Sequence, residues 1–160
     1  MAISAGDRIP SINLTRMTDD GPQAVSTDDF FAGRKVVLFA VPGAYTPICS
    51  AQHLPGFVAS ADALRAKGID AVACLATNDV FVMDAWGKDQ GAAGKVEMLA
   101  DGSGEFTKAM DLEFDLSAKG IGVRSRRYAL VADDGVVTTL ALDEGVGLDK
   151  SSAESILAEL

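Results

Sequence analysis

Val36-Val37-Leu38-Phe39-Ala40-Val41-Pro42-Gly43-Ala44-Tyr45-Thr46-Pro47-Ile48-Cys49-Ser50 is the stretch that decides how this chain folds. Its first six residues, following Lys35, form an apolar run of strand type, which Pro42 and Gly43 interrupt. Beyond Pro47, the residues Ala51, Leu54, Phe57, Val58, Ala61 and Leu64 recur at helical spacing. Strand, short loop and helix therefore follow in immediate succession, and Cys49 falls in the helix's first turn. Unpaired backbone N–H groups and the positive end of the macrodipole stabilise a thiolate at such a place.

Working outward, the spacing predicts a strand over 35–41 and a helix over about 49–66 that ends at Lys67-Gly68. Pro55-Gly56 lies inside that helix, so either the axis kinks there or two helices meet. A strand over 69–76, a helix over about 79–87 and a strand over 95–99 follow, completing a βαβαβ alternation. Ile69-Asp70-Ala71-Val72-Ala73-Cys74-Leu75-Ala76 is almost wholly apolar, as in a central strand covered on both faces, which places Cys74 in the core or at the strand's end. A short helix near 104–110 leads to two apolar runs, 128–132 and 136–142, joined by Asp133-Asp134-Gly135 as a hairpin. A last helix starts at Ser151 or Ser152. Residues 1–34 carry small strands around Ile12-Asn13-Leu14 and Ala24-Val25-Ser26, and Thr27-Asp28-Asp29 is the expected cap of a short helix ending near Gly33. The order describes a single α/β domain over 1–160, a central mixed β-sheet flanked by helices in a thioredoxin-like arrangement.

A length of 160 residues with 48% hydrophobic content suits one domain with a full core. The net charge of −9 opposes binding to nucleic acid or to an anionic membrane surface. No apolar run approaches the ~18 residues of a membrane span. The first ten residues include Asp7 and Arg8 and lack the pattern of a secretory signal, which points to the cytoplasm. A lone histidine, His53, is incompatible with a His-rich metal site, and no P-loop or dinucleotide fingerprint occurs, so neither metal nor cofactor is expected. With two cysteines, Cys49 and Cys74, a disulfide scaffold is excluded. The basic cluster Arg124-Ser125-Arg126-Arg127 stands out against the acidic background.

Around Cys49 the local sequence offers the helix start, the Thr46 hydroxyl three residues earlier, and Pro42 and Pro47 to stiffen the loop. It lacks a full cation. Pro42, Thr46 and Cys49 together make the Pro-x-x-x-Thr-x-x-Cys pattern, which resembles that of the peroxiredoxins. Cys49-Ser50-Ala51-Gln52-His53-Leu54-Pro55-Gly56-Phe57, the segment 74–87, and Arg124-Ser125-Arg126-Arg127-Tyr128-Ala129-Leu130 are similar more specifically to the type II, peroxiredoxin-5-like branch. The resemblance runs through essentially the whole chain. It implies a thiol peroxidase in which Cys49 is the peroxidatic nucleophile and becomes a sulfenic acid. It also implies that Arg127 reaches the sulfur and hydrogen-bonds the peroxide oxygens as charge develops. Arg124 and Arg126 remain structural.

The implied substrates are hydrogen peroxide and alkyl hydroperoxides. Some type II members carry a resolving cysteine near the C-terminus, where this chain has Lys150, so the expected reductant is external: glutathione with glutaredoxin, or thioredoxin. Cys74 is the possible internal resolver, against its simpler role as a small buried hydrophobe. His53, one helical turn after Cys49, could be mistaken for the base of a Cys-His pair; with Pro55 bending the helix and no third residue to orient it, a hydrogen bond within the fold or at a subunit contact is expected instead. Trp86, Met83 and Phe81 are expected in the core, and the resemblance implies a homodimer. A peroxide sensor that hands its oxidation to a partner would use the same thiolate, while a disulfide reductase is disfavoured by the missing Cys-x-x-Cys.

Overall fold

The computed structural model describes residues 2–160. Among these residues the elements are nine strands and five α-helices: β1 (Asn13–Thr18), β2 (Gly21–Ser26), α1 (Thr27–Phe31), β3 (Lys35–Ala40), α2 (Leu54–Ala66), β4 (Ala71–Ala76), α3 (Val80–Asp89), β5 (Glu97–Ala100), α4 (Glu105–Ala109), β6 (Glu113–Asp115), β7 (Val123–Ser125), β8 (Tyr128–Asp133), β9 (Val136–Leu142) and α5 (Ala153–Glu159). Seven strands form one sheet in the order β2-β1-β5-β4-β3-β8-β9, and β6 pairs with β7 in a separate ribbon. β3, β4 and β5 are parallel, while β8 runs antiparallel to β3, and β9 to β8. This is the mixed sheet of a thioredoxin-like fold.

The pleat sorts the core into two layers. On one face Val37, Phe39, Val41, Val72, Cys74, Ala76, Ala129 and Val131 meet Leu54, Phe57 and Leu64 of α2, Met83 and Trp86 of α3, and Ile156 of α5. On the other, Val36, Leu38, Ala40, Ala73, Leu75, Tyr128 and Leu130 meet Phe30 and Phe31 of α1 and Phe106 of α4. Alternate residues of β3, β4 and β8 thus point to opposite layers, and both are apolar, which is why these strands read as continuous hydrophobic runs. Cys49 and Cys74 share the α2 layer.

Several expected boundaries move, each for a local reason. Asp134 and Gly135 close the β8-β9 hairpin with φ of 49° and 80°, the left-handed pair that a tight two-residue turn requires. Asp79 caps α3, its carboxylate accepting from Val82 N at 2.9 Å. Ser152, and not Ser151, caps α5 through Ser155 N. Thr27 does not cap α1. It is the helix's first residue, and its hydroxyl donates to Pro10 O and accepts from Ile12 N, tying the N-terminal segment down.

Phe81 corrects a second expectation. Val80, Met83 and Trp86 face the core at helical spacing, but Phe81 lies ~100° round the helix from Val80 and is 64% exposed. The ribbon of β6 and β7, which no periodicity announced, brings Leu116, Ile121 and Arg124 over the end of β3.

Candidate active site

The chain leaves β3 through a tight loop whose geometry is held from several sides. Ala44 N donates to Asn78 Oδ1 at 2.8 Å, and the Tyr45 hydroxyl donates to Asp89 at 2.6 Å, with Tyr45 held at a left-handed φ of 61°. Gly43 is needed for close approach: a Cβ there would stand 3.2 Å from Arg124 Nη1 and 3.3 Å from Thr46 Cγ2. Thr46 Oγ1 donates to Gly43 O at 2.7 Å, and Thr46 O accepts the first helical bond, from Ser50 N. Pro47 takes the first helical position, where the missing N–H costs nothing.

Cys49 follows in that first turn, as its spacing predicts. The turn Cys49–His53 is π-helical and runs directly into α2, with Leu54 N bonding to Cys49 O five residues back. Pro55 therefore neither separates two helices nor sits in a regular α-turn. The widened turn precedes it, so the backbone has already left the geometry in which the proline ring would clash. The same turn aligns Cys49, Ser50 and His53 with three different partners. Ser50 Oγ accepts from Trp86 Nε1 of α3 at 3.0 Å.

The missing cation arrives from far along the sequence. Arg127 stands one residue before β8 and continues the parity of Ala129 and Val131, so its side chain enters the α2 layer, where Cys49 lies. It is 1% exposed. Its Nη2 donates to Cys49 Sγ at 3.1 Å, its Nη1 to His53 Nδ1 at 2.7 Å and its Nε to Val146 O at 3.2 Å. None of these partners is a carboxylate. A buried guanidinium without a carboxylate stabilises negative charge on the one partner able to carry it, the sulfur.

The contacts also assign the His53 tautomer. Arg127 can only donate, so Nδ1 is the acceptor; Nε2 carries the proton and donates to Ser151 O at 2.9 Å. Burial, and then the Arg127 charge, lower its pKa from 6.5 to about 3. His53 is therefore a neutral, doubly bonded support within the fold, flanked by the rings of Phe39 and Phe57. Between pH 6.5 and 3 the unfolded chain binds a proton at this site and the folded one does not. His53 thus makes stability fall with falling pH across that window, by up to about 1.4 kcal/mol per unit. We expect His53→Gln to flatten the acid limb, measured as urea unfolding free energy from pH 7 to 4; parallel profiles for the two proteins would contradict this.

A pocket of about 250 Å³ opens onto the site, lined by Pro42, Thr46 and Arg127 together with the apolar side chains of Leu116, Ile121 and Val146. The Thr46 hydroxyl hydrogen is engaged by Gly43 O, which leaves its oxygen to act as an acceptor toward a molecule in the pocket. Cys74 is fully buried within β4, paired to Phe39 on one side and Met98 on the other, and burial pushes its thiol pKa well up. Both cysteines are free thiols. Among the described residues no cluster of His, Cys, Asp and Glu could hold a metal, and no helix is long and apolar enough to cross a membrane.

Arg127 at the sulfur, with Pro42 and Thr46 at the pocket, brings together residues that the resemblance singled out. The redoxin family model matches residues 4–157. The chain is 50% identical over 163 residues to the chloroplastic Peroxiredoxin-2E of Arabidopsis thaliana, covering 99% of this chain and 70% of that one. The crystal structure of reduced Prx3 from Vibrio vulnificus in complex with H2O2 is 48% identical, with a TM-score of 0.94 and 98% of both chains covered. The chain belongs to the peroxiredoxins.

A structure from Burkholderia cenocepacia carried under a thioredoxin reductase name is also similar, 51% identical with a TM-score of 0.98 over 100% of this chain and 99% of that one. The peroxiredoxin assignment makes this protein a thiol peroxidase, with peroxides as substrates and a thiol as reductant. Sequence reasoning singled out Cys49, Thr46 and Pro42 from the local pattern together with the resemblance, and Arg127 through the resemblance alone. It missed Asp143, Val146 and Ser151, which hold Arg127 and His53 from a loop whose sequence has no periodicity to mark them.

Proposed function

We propose that Cys49 is the nucleophile that reduces hydrogen peroxide and small organic hydroperoxides, with Arg127 as the cation on the reacting atoms, Thr46 as the acceptor for the peroxide O–H and Pro42 as the wall that shields the sulfur. The observation that carries this is the 3.1 Å contact of Arg127 Nη2 with Cys49 Sγ at the edge of an apolar pocket. In the first step the thiolate attacks one peroxide oxygen, an S–O bond forms and the O–O bond breaks. Sulfur loses two electrons to become sulfenic acid, and the departing oxygen takes up a proton and leaves as alcohol or water. Charge developing on both oxygens is met by guanidinium N–H groups at the edge of an apolar pocket. An incoming thiol then displaces water from the sulfenic acid to give a mixed disulfide. A second thiol releases Cys49 and carries the oxidation away as a disulfide.

The thiol we assign is external, glutathione with glutaredoxin or thioredoxin, acting on a cytoplasmic homodimer. Cys74 supports this by its setting: it is protonated, fully buried and paired on both sides, so joining it to Cys49 requires strand β4 or the π-turn to open. Phe81 and Tyr45, 64% and 53% exposed near the active-site loop, offer apolar surface for a second copy. The test is stepwise oxidation of reduced protein with hydrogen peroxide, reading free thiols, intact mass and elution volume, followed by the two reducing systems. One thiol lost per chain, with turnover restored by one of the donors, is the expected result. Loss of both thiols in a monomeric species without added thiol would instead route the cycle through Cys74.

A further inference from the structure

The loop after β9 holds the active site from behind, and one carboxylate organises it. Asp143 is 3% exposed and follows directly on β9, its N–H donating to Arg127 O at 3.0 Å. Its Oδ1 accepts from Lys150 N at 2.7 Å. Its Oδ2 accepts from Asp149 N at 3.2 Å, Ser151 N at 3.1 Å and Ser151 Oγ at 2.5 Å. Residues 143–151 are thereby folded back onto their own beginning. From this closed loop two carbonyls point inward: Val146 O accepts from Arg127 Nε, and Ser151 O accepts from His53 Nε2, whose Nδ1 in turn accepts from Arg127 Nη1. Two of the three side-chain hydrogen bonds of Arg127 thus trace back to the loop, and the third reaches the sulfur.

We propose that Asp143 is a positioning residue of the peroxidase reaction: by gathering Asp149, Lys150 and Ser151 onto its carboxylate, it fixes the carbonyls that aim Arg127 at Cys49. The inference rests on the peroxidase function and adds a determinant outside the groups that touch substrate. Its physical basis is the arginine side chain itself. Arg127 has several rotatable bonds and no carboxylate partner, so its direction is set by the acceptors available to Nε and Nη1. Removing the loop's anchor frees Val146 and Ser151 together, and the guanidinium then loses both rear acceptors while the sulfur contact alone remains. The Asp143 carboxylate suits the task because burial, which disfavours its charge, is outweighed by the Ser151 hydroxyl and the backbone N–H groups, so it stays ionised.

The experiment compares wild type and Asp143→Asn on the full chain. Stopped-flow fluorescence of Trp86, bonded to Ser50 beside the reacting cysteine, gives the second-order rate of Cys49 oxidation by hydrogen peroxide. The plateau rate of Cys49 alkylation by iodoacetamide at high pH reads access to the sulfur without the peroxide, and thermal melting reads the fold. We expect the peroxide rate to fall by about tenfold or more, as a misplaced donor costs, with the alkylation plateau within about twofold of wild type. Asp143→Glu, which retains the anionic acceptor, should recover part of the loss.

An unchanged peroxide rate, or a parallel loss of both rates, would overturn the proposal by leaving Asp143 a purely structural group. Should Asp143→Asn not fold, Ser151→Ala removes one bond of the set and keeps its carbonyl; a wild-type peroxide rate in that protein overturns the proposal equally. A wild-type protein that itself reacts slowly with peroxide would count against the peroxidase function, separately from any effect of Asp143.

Discussion

Peroxide turnover is expected to disappear in Cys49→Ser while the protein keeps its fold. The sulfur sits in the first helical turn with Arg127 Nη2 at 3.1 Å, and no other thiol is placed to replace it, Cys74 being closed inside β4. A serine hydroxyl at the same place does not ionise in this range and is a far weaker nucleophile toward an O–O bond, so the expected loss is at least about 10³-fold, down to background. The fold survives because the exchange is nearly isosteric and the new oxygen accepts the same Arg127 hydrogen bond. A cost of about 1 kcal/mol, a few degrees in melting temperature for a chain of this size, is expected. The check is a coupled peroxidase assay beside a thermal melt. Residual turnover above a few per cent with a normal melt would place the chemistry elsewhere.

The second large effect falls on Arg127, and it separates charge from geometry. Arg127→Gln removes the cation and the donor fork, and the rate of Cys49 oxidation by peroxide should fall by about 10² to 10³, the scale of losing a preorganised donor at developing charge. Arg127→Lys restores the charge on a single nitrogen that cannot hold Val146 O, His53 Nδ1 and Cys49 Sγ at once, so its rate should lie between those of wild type and Arg127→Gln. Stopped-flow oxidation at one pH compares the three. Equal rates for Arg127→Lys and wild type would mean that charge alone matters and the fork does not. Stability should move less than activity. The glutamine leaves His53 Nδ1 and Val146 O short of a donor, at about 1 to 3 kcal/mol each, and that loss is offset by relief of burying an unpaired cation.

Some of the site was readable because local rules write it locally. The strand that ends at Pro42-Gly43 and the helix that begins at Pro47 are adjacent in sequence, and their periods differ, so the position of Cys49 in the first turn follows from hydrophobic spacing. The core strands read as continuous apolar runs because both faces of β3, β4 and β8 are covered. Phe81 shows where such reading stops: helical spacing places Val80, Met83 and Trp86 inward, and the same spacing turns Phe81 out, yet its hydrophobicity alone suggested the core. The Thr46 hydroxyl shows it too, for its short bond to Gly43 O depends on a loop conformation that no periodicity specifies.

Arg127, the choice among three clustered arginines, became legible only through family resemblance at first, and the structure supplies the reason: odd residues of β8 face the α2 layer, so Arg127 shares the side of Ala129 and Val131, whereas Arg124 lies on the β6-β7 ribbon and donates to Ile121 O. What the sequence by itself determined is therefore the order of the α-helices and of the strands of the seven-stranded sheet, the helix-start cysteine and the apolar character of that sheet, all properties of residues within a few positions of one another. The pairing of Cys49 with Arg127, 78 residues apart, the tautomer of His53 and the closure of the 143–151 loop by Asp143 were decided only by tertiary structure. These are hydrogen bonds between buried polar groups, and which donor finds which acceptor depends on strand register and side-chain direction, which emerge only once the layers have packed.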